Sequence, residues 1–502
     1  MKVLDSLQTK KAEEYAAGIG MGADRLMENA GSAAARIIRE QFAVTGRKIV
    51  VVTGQGNNGG DGFVVARKLK EYGAKVSVVM AVGIAGTKNS AIMQQRAIQL
   101  QIPMLYYYDN VTLATELIDG ADIIVDAIFG TGFHGAPERD IKQIIEHINH
   151  AKAKRVALDV PSGVICDNGE VLGAAVRSDI TVGFIGYKPC HFLAPADGFC
   201  GKVFAVSIGF NLPSEFECYA EVVDVETAKA SLSVIPRNAN KGTKGTALIF
   251  AGSYGMAGAA ILSARAAMRS GVGIVRLSVP KPVYNIAGPV LPEVVFKPLD
   301  DKNGFFSKES FNADLFQGSN SVLIGPGLGN NQDTAEFTLE VLKNTKQPTV
   351  IDADGLNVLV GNTDRLKDIL APLIVTPHPG EMARLMDCDI ETVEKDRIGF
   401  AKRFAAEHGV ITVLKGAYTV IAAPSGKVYL NVTGCEGMAT AGSGDMLSGM
   451  IAAFLANGTK PLAATVSAVC LHGAAGEKTA SRLGVRGMTV SDMIEQLPFI
   501  LN

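Results

Sequence analysis

The chain has 502 residues, with 48 Lys and Arg against 50 Asp and Glu for a formal charge of −2, and 47% of its residues are hydrophobic. That length exceeds one hydrophobic core and predicts two domains, while the charge balance excludes a general attraction to nucleic acid or anionic membrane. The seven cysteines show neither disulfide nor zinc spacing, and no apolar run approaches the ~18 residues of a membrane span, so a protein free of the membrane in a reducing, cytoplasmic compartment is expected.

In chain order, Asp24-Arg-Leu-Met-Glu-Asn-Ala30 and the Ala-rich run to Glu40 predict a helix that covers a sheet, with a lid or a dimer face as alternatives. Lys48-Ile-Val-Val-Val52, the amphipathic segment Phe63 to Tyr72 and Lys75-Val-Ser-Val-Val-Met80 read as a βαβ unit. The next apolar runs, Asp122 to Asp126 and Arg155 to Asp159, each end in an acid followed by a Gly- or Pro-containing loop. In an open parallel sheet, ligands bind outside the carboxyl ends of the strands, so these loops should converge.

Gly54-Gln-Gly-Asn-Asn-Gly59 matches the dinucleotide fingerprint G-x-G-x-x-G, yet the second strand ends Val79-Met80-Ala81-Val82 with no acid for a ribose hydroxyl. Its asparagines and Asp61 suit a polar ligand or a hard cation; a tight turn with Asp61 capping the next helix is the bland alternative. Asp126 opens a second glycine-rich loop to Ala136, and Asp159 opens Asp159-Val-Pro-Ser-Gly163. Asn58, Asp126 and Ser162 all present oxygen ligands for a monovalent or other hard cation. Asp159 suits a base or acid, or a structural cap in its turn.

These three motifs, in this order, closely resemble the NAD(P)H-hydrate epimerase domain over roughly residues 1 to 215. The resemblance implies a Rossmann-like three-layer fold that interconverts the two C6 epimers of hydrated NADH or NADPH. It further implies substrate contacts from Asn57, Asn58, Gly59, Gly60 and Asp61 and from Gly130, Thr131, Gly132, Phe133, His134, Gly135 and Ala136. Potassium would be held by Asn58, Asp126 and Ser162, and Asp159 would meet the substrate at its reacting end. Epimerisation must make and quench a planar centre at C6, for which a carboxylate that accepts and returns a proton is suited.

A boundary is expected between Asn211 and Ala230, after which the α/β alternation restarts at Thr246-Ala-Leu-Ile-Phe-Ala-Gly252 and an Ala-rich helix from Ala259 to Arg269. Strand-loop units follow at Ser321 to Gly329, Pro348 to Asp354, Leu373 to Glu381 and Val410 to Lys415, without internal repeats or low-complexity tracts. Near the carboxyl end, Gly442-Ser-Gly-Asp445 joins a glycine-rich turn to a helix predicted from about Met446. Backbone N–H groups and the helix dipole there suit a phosphate. Asp445 beside it is a helix cap, a cation ligand, or a base towards a hydroxyl that attacks a phosphoryl group.

The Thr440 to Gly449 segment fits a ribokinase-like α/β fold, which alone points to a small-molecule kinase. With Gly325-Pro-Gly-Leu-Gly329, Asp352-Ala-Asp-Gly-Leu-Asn357, Thr376 to Met382 and Leu414-Lys-Gly-Ala417, residues 225 to 502 resemble the ADP- or ATP-dependent NAD(P)H-hydrate dehydratase. The resemblance implies that Gly327, His378, Pro379, Gly380, Glu381 and Asp445 face the hydrate. Lys415, Gly416, Ala417, Gly442, Ser443 and Gly444 would hold the adenine nucleotide, with magnesium on its phosphates. Hydroxide leaves poorly; once Asp445 has taken the hydroxyl proton and the oxygen is phosphorylated, phosphate leaves and the dihydropyridine returns. Family analogy favours ADP over ATP, dehydration of the S epimer, and a homotetramer or larger. The competing readings are a vitamin-precursor or sugar kinase with a regulatory amino-terminal domain, and a non-catalytic ligand-binding first domain. His378 touches the substrate or makes a loop-stabilising hydrogen bond, Lys415 contacts phosphate or its loop or is solvated, Asp352 and Asp354 orient ligands or cap a helix, and Cys435 and Cys470 are expected to be buried as small apolar residues.

Overall fold

Strand β1 (Lys48–Thr53) turns Ile49 and Val51 to one core and Val50 and Val52 to another, the signature of a strand covered on both faces. In this computed structural model, which describes residues 1–502, the chain divides into two units, Met1–Ala220 and Glu221–Asn502. In the first, β1 is joined by β2 (Lys75–Met80), β3 (Met104–Tyr106), β4 (Ile123–Ala127), β5 (Lys154–Leu158), β6 (Ile180–Phe184) and β7 (Lys202–Val206). The sheet is parallel, in the order β3-β2-β1-β4-β5-β6-β7.

One face of that sheet carries α2 (Ala23–Gln41), α3 (Asn57–Glu71) and α4 (Lys88–Gln99); the other carries α5 (Val111–Asp119) and α6 (Arg139–His150). On α6, Ile141, Ile144, Ile145 and Ile148 recur at helical spacing and are all buried, each contributing about 1.5–3 kcal/mol relative to exposure. The short α1 (Ser6–Gly18) precedes α2 and opens with an Asp5–Gln8 capping box. The predicted helix after the asparagine motif starts earlier than Phe63. Asn57 to Asp61 is the first turn of α3 and not a loop, because Gly56 supplies the extended N-cap backbone.

In the second unit, β8 (Thr246–Phe250), β9 (Ile274–Pro280), β10 (Val295–Leu299), β11 (Ser321–Ile324), β12 (Thr349–Ile351), β13 (Leu373–Val375) and β14 (Ile411–Leu414) are parallel. Antiparallel β15 (Val420–Ala422) and β16 (Val428–Leu430) extend the order to β16-β15-β14-β13-β12-β11-β8-β9-β10. The helices used below are α7 (Ala257–Arg269), α8 (Pro379–Leu385), α9 (Arg397–His408), α10 (Ser443–Ala456) and α11 (Pro461–Leu483).

Helix α10 is buried from Met446 through Ala456 and packs on α7 so closely that a Cβ at Gly449 would stand 2.3 Å from the Ser263 carbonyl oxygen. A helix apolar on all sides and locked to its neighbour is a rigid platform for whatever its first turn carries. All seven cysteines are free thiols; Cys470 is buried as expected, whereas Cys435 is only half-buried, its Sγ 4.0 Å from Met488 Sδ. No helix is long and apolar enough to cross a membrane.

Candidate functional site

In the first unit the paired register Val52, Asp126 and Ala157 carries β1, β4 and β5 to one common edge. The strand order reverses between β1 and β4, so a crevice opens there. It is a cavity of about 770 Å³ lined by Asn57, Asn58, Asp61, Gly130, Thr131, Gly132, Phe133, His134 and Asp159, together with Thr9, Glu13 and Ala17 of α1. Gly59 and Gly60 are closely packed: a Cβ would strike the Gly54 carbonyl oxygen at Gly59 and Met27 Sδ at Gly60. Gly135 and Ala136 follow the lining residues of their loop, where Phe133 stacks on Phe129 at 4.6 Å.

Asn58, Asp126 and Ser162 meet around the Phe129 peptide. Asn58 Nδ2 donates to the Phe129 carbonyl at 2.7 Å, the Phe129 N–H donates to Ser162 Oγ at 2.9 Å, and Ser162 Oγ donates to Asp126 Oδ1 at 2.6 Å. Asn58 Oδ1 is buried with no hydrogen-bond partner. Burial pushes the Asp126 carboxyl up to about 6 against the pull of the Ser162 and Ile128 hydrogen bonds, and no basic side chain opposes it. An unpartnered amide oxygen beside a desolvated carboxyl is a donor set that fits a hard cation.

Asp159 has a left-handed backbone, φ 65°, a conformation uncommon outside glycine and one that Asp is among the few side chains to tolerate. It accepts from Lys188 Nζ at 2.9 Å and from the Phe184 N–H at 3.0 Å. Lys188 is fully buried and also donates to the Phe184 carbonyl at 2.8 Å. His191 Nδ1 accepts from the Lys188 N–H at 3.0 Å, which leaves Nε2 to donate to the Asp159 carbonyl at 2.9 Å. Burial, then Lys188, hold His191 down at about 4, so it stays neutral and braces the turn. Burial, then Asp159, then Glu13 raise the Asp61 carboxyl well above the ordinary range. Asp61 lies inside α3, whose N-cap is Gly56, and so does not cap that helix. Lys188 and His191 escaped the sequence reading, although Lys188 is the one Asp, Glu, Lys or Arg between Asp179 and Asp197.

In the second unit, Ile324, Ile351 and Val375 stand in register, so the loops opened by Gly325, Asp352 and Thr376 share an edge. A Cβ at Gly325, φ 133°, would fall 1.7 Å from the Asp352 carbonyl oxygen. Ala353, φ 48°, separates two acids with different tasks. Asp354 Oδ2 accepts from the Gly329 N–H at 2.8 Å and holds the loop containing Gly327, whereas Asp352 Oδ1 accepts from Lys415 Nζ at 2.8 Å. Lys415 also lies 3.8 Å from Glu381 Oε2. Arg397 of α9, a second omission of the sequence reading, donates to the carbonyls of Leu414, Lys415 and Ala417 and so clamps the Lys415-Gly416-Ala417 turn.

His378 caps α8 through a capping box. Its Nδ1 accepts from the Gly380 and Glu381 N–H groups at 3.0 and 3.3 Å, and Glu381 Oε2 accepts from the His378 N–H at 2.7 Å. Pro379 occupies the first helical position, and half of the His378 ring stays exposed.

Helix α10 begins at Ser443, three residues before the predicted Met446, because Gly442 takes the left-handed φ of 92° that turns the chain into the helix. Asp445 therefore lies in the first turn and is not the N-cap. The first-turn N–H groups of Gly444 and Asp445 have no partner within the helix, the arrangement that receives a phosphate. A Cβ on Gly444 would stand 3.3 Å from Lys415 Nζ and 3.8 Å from Asp352 Oδ2, so the turn lies directly over that ion pair. Burial, then Asp352, raise the Asp445 carboxyl to about 6, with Lys415 opposing. Ser443 Oγ lies 3.3 Å from Nε2 of His472 on α11, another residue the sequence reading missed; burial and Lys415 hold that imidazole at about 4.

Two glycine-edged, acid-bearing strand-end sites in one chain set the terms for comparison with known proteins. Residues 23–190 match the family model for the YjeF-related protein N-terminus, and residues 247–499 match that for NAD(P)H-hydrate dehydratase. The bifunctional NAD(P)H-hydrate repair enzyme of Moorella thermoacetica is 36% identical over 95% of this chain and 92% of its own length. The chain belongs to the bifunctional NAD(P)H-hydrate repair enzymes. Among solved structures, the ADP/ATP-dependent NAD(P)H-hydrate dehydratase from Bacillus subtilis, co-crystallised with ATP and Mg2+, is 33% identical with a TM-score of 0.51, covering 56% of this chain and 98% of that one. A ribokinase-like superfamily protein from Enterococcus faecalis is 25% identical, with a TM-score of 0.50 over 58% of this chain and 98% of that one. The repair-enzyme family replaces both the vitamin- or sugar-kinase reading and the reading of the first unit as a non-catalytic module.

Proposed function

We propose that this protein restores hydrated NADH and NADPH, the first unit exchanging the R and S epimers and the second dehydrating the S epimer at the expense of ADP, or of ATP as a poorer donor. The observation that carries the dehydration half is Asp445 in the first turn of α10, over the Lys415–Asp352 pair. Asp445 accepts the proton of the C6 hydroxyl as that oxygen attacks the donor's terminal phosphoryl group. The Gly444 and Asp445 N–H groups and Lys415 stabilise the charge gathering on the transferred phosphoryl. Phosphate then departs with the C6–O bonding pair, the ring nitrogen's lone pair forms the bond to C6, and loss of a C5 proton restores the dihydropyridine. Gly442, Ser443, Gly416 and Ala417 shape the nucleotide side, and Gly327, His378, Pro379, Gly380 and Glu381 the hydrate side.

The carboxylates of Asp352 and Asp354 around Asp445, opposed by Lys415, favour a nucleotide that brings Mg2+ on its phosphates, and magnesium supplies charge neutralisation there. In the first unit, Asn58, Asp126 and Ser162 hold K+, which fixes the Phe129–Ala136 loop against the cavity, and Asp159 exchanges a proton with the substrate. Asn57 and Asp61 contact the hydrate from α3. The protein works in the cytoplasm as a homo-oligomer, a tetramer or larger. Chromatography of mixed NADH hydrates incubated with the protein, ADP and Mg2+ tests this reading: both epimers disappear and NADH accumulates, whereas persistence of either at its starting amount refutes it.

A further inference from the structure

Epimerisation at C6 makes a demand that one carboxylate does not meet. The carbon bears the hydroxyl and the ring nitrogen. When a proton reaches the hydroxyl, the C6–O bond breaks, its electron pair leaves with water, and the nitrogen lone pair forms a planar N=C6 iminium. Solvent water then adds to the other face, its oxygen bonds to C6, the N=C6 π pair returns to nitrogen, and the surplus proton must be accepted there. The reverse reaction exchanges the two tasks, so each face needs a group that both gives and takes a proton.

The Asp159–Lys188 pair stands at the strand-end side of the cavity. A separate element bounds it elsewhere: α1 presents Thr9, Glu13 and Ala17, spaced four residues apart on one face, to the same space. Thr9, one turn from Glu13, lines the same cavity, and its Oγ1 is buried without a hydrogen-bond partner. Glu13 lines the cavity with its side chain exposed, within electrostatic reach of Asp159 and Lys188, and no ion pair engages its carboxylate.

We propose that Glu13 is the second proton-transfer group of the epimerisation, exchanging a proton with the C6 oxygen from the α1 side while Asp159 does so from the strand-end side. The inference rests on the epimerase reading of the first unit. The charged and titratable groups facing Glu13 are Asp61 from α3, Asp159 and Lys188 from the strand-end turns, and His134 across the cavity. Partial desolvation at the cavity wall, then Asp159, push the Glu13 carboxyl up from its ordinary range, and Lys188 draws it down. Thr9 is the hydroxyl that orients the water or the substrate oxygen towards it.

The test follows exchange of a purified epimer by chromatography without nucleotide, corrected for the spontaneous rate, in the full chain. Wild type, E13Q and E13D are compared across pH, with nucleotide-dependent dehydration of the S epimer in the same preparations as the folding control. E13Q should lower kcat for exchange by about 100-fold or more, the usual worth of a positioned acid–base group, with dehydration unchanged. E13D should recover part of the loss and show a displaced pH profile. Exchange by E13Q within about threefold of wild type, or E13D no better than E13Q, overturns the proposal. Absence of exchange above the spontaneous rate in wild type sinks the epimerase reading itself, a result the variants cannot mimic.

Discussion

The ammonium of Lys415 lies 3.3 Å from the point where a Cβ of Gly444 would stand, and Asp352 pins it there at 2.8 Å. The glycine at position 444 is therefore a requirement of the Lys415 side chain and not of backbone conformation, since Gly444 is helical. In Gly444→Ala the helical preference of alanine, about 0.5–1 kcal/mol, is set against displacement of the Lys415 ammonium that Asp352 holds, and the methyl group intrudes on the phosphate side of Lys415. The expected outcome is a folded protein with little change in Tm and dehydration reduced tenfold or more through the nucleotide KM, a loss of about 1.4 kcal/mol. Full activity in this variant would mean that the turn does not receive the nucleotide's phosphates.

Asp445 sits at about 6, raised first by burial and then by Asp352. A base works only when ionised, so kcat/KM for dehydration should be level above that pH and fall towards tenfold per unit below it. Replacing Lys415, which draws Asp445 down, by Met should move the limb to higher pH. A limb that stays in place would assign the titration to another group.

Much of this was legible because strand-end chemistry leaves local marks. Asp126, Asp159, Asp352 and Lys415 each close a short β-branched run, and parallel topology gathers such ends, so convergence within each sheet followed from pattern. The partners were not legible, because nothing local ties Lys188 to Asp159, Arg397 to the Lys415 turn or His472 to Ser443; these meet across 29, 17 to 20 and 29 residues of chain. The sequence pattern puts the starts of α3 and α10 too late for one reason. Asn57-Asn-Gly-Gly and Ser443-Gly are poor helix formers, and tertiary packing overrides that preference.

His191 and His472 are each held at about 4, one in each unit. Their unfolded value is ~6.5, so the neutral form's contribution is complete above pH ~6.5 and is lost as pH falls towards 4, by up to about 3 kcal/mol per histidine. Between pH 7 and pH 4.5 this loss is opposed by Asp126 and Asp445, whose raised carboxyls gain stability as they protonate, so the test is a difference: the Tm of His191→Asn should fall less, or rise more, than that of wild type across the window. An unaltered pH slope in that variant would contradict the neutral, bracing role of His191.

The unpartnered Asn58 Oδ1 and the desolvated Asp126 carboxyl define the cation expectation. K+ at a concentration 100 times its Kd should stabilise the first unit by about 2.7 kcal/mol, read as a rise in Tm absent with tetramethylammonium at equal ionic strength. Asn58→Ala should abolish the difference between the two salts. A K+ effect of the same size in that variant would place the ion elsewhere.

The most direct test of the central claim is recovery of the dihydropyridine absorbance from mixed hydrate epimers with ADP and Mg2+, in wild type, Asp445→Asn and Asp159→Asn. Wild type should consume both epimers. Asp445→Asn should exchange them without restoring absorbance, and Asp159→Asn should consume the S epimer and leave R to its spontaneous rate. The two variants mixed should recover both epimers, because each retains the site the other lacks. Nucleotide-independent recovery, or Asp445→Asn restoring absorbance at the wild-type rate, would contradict the account.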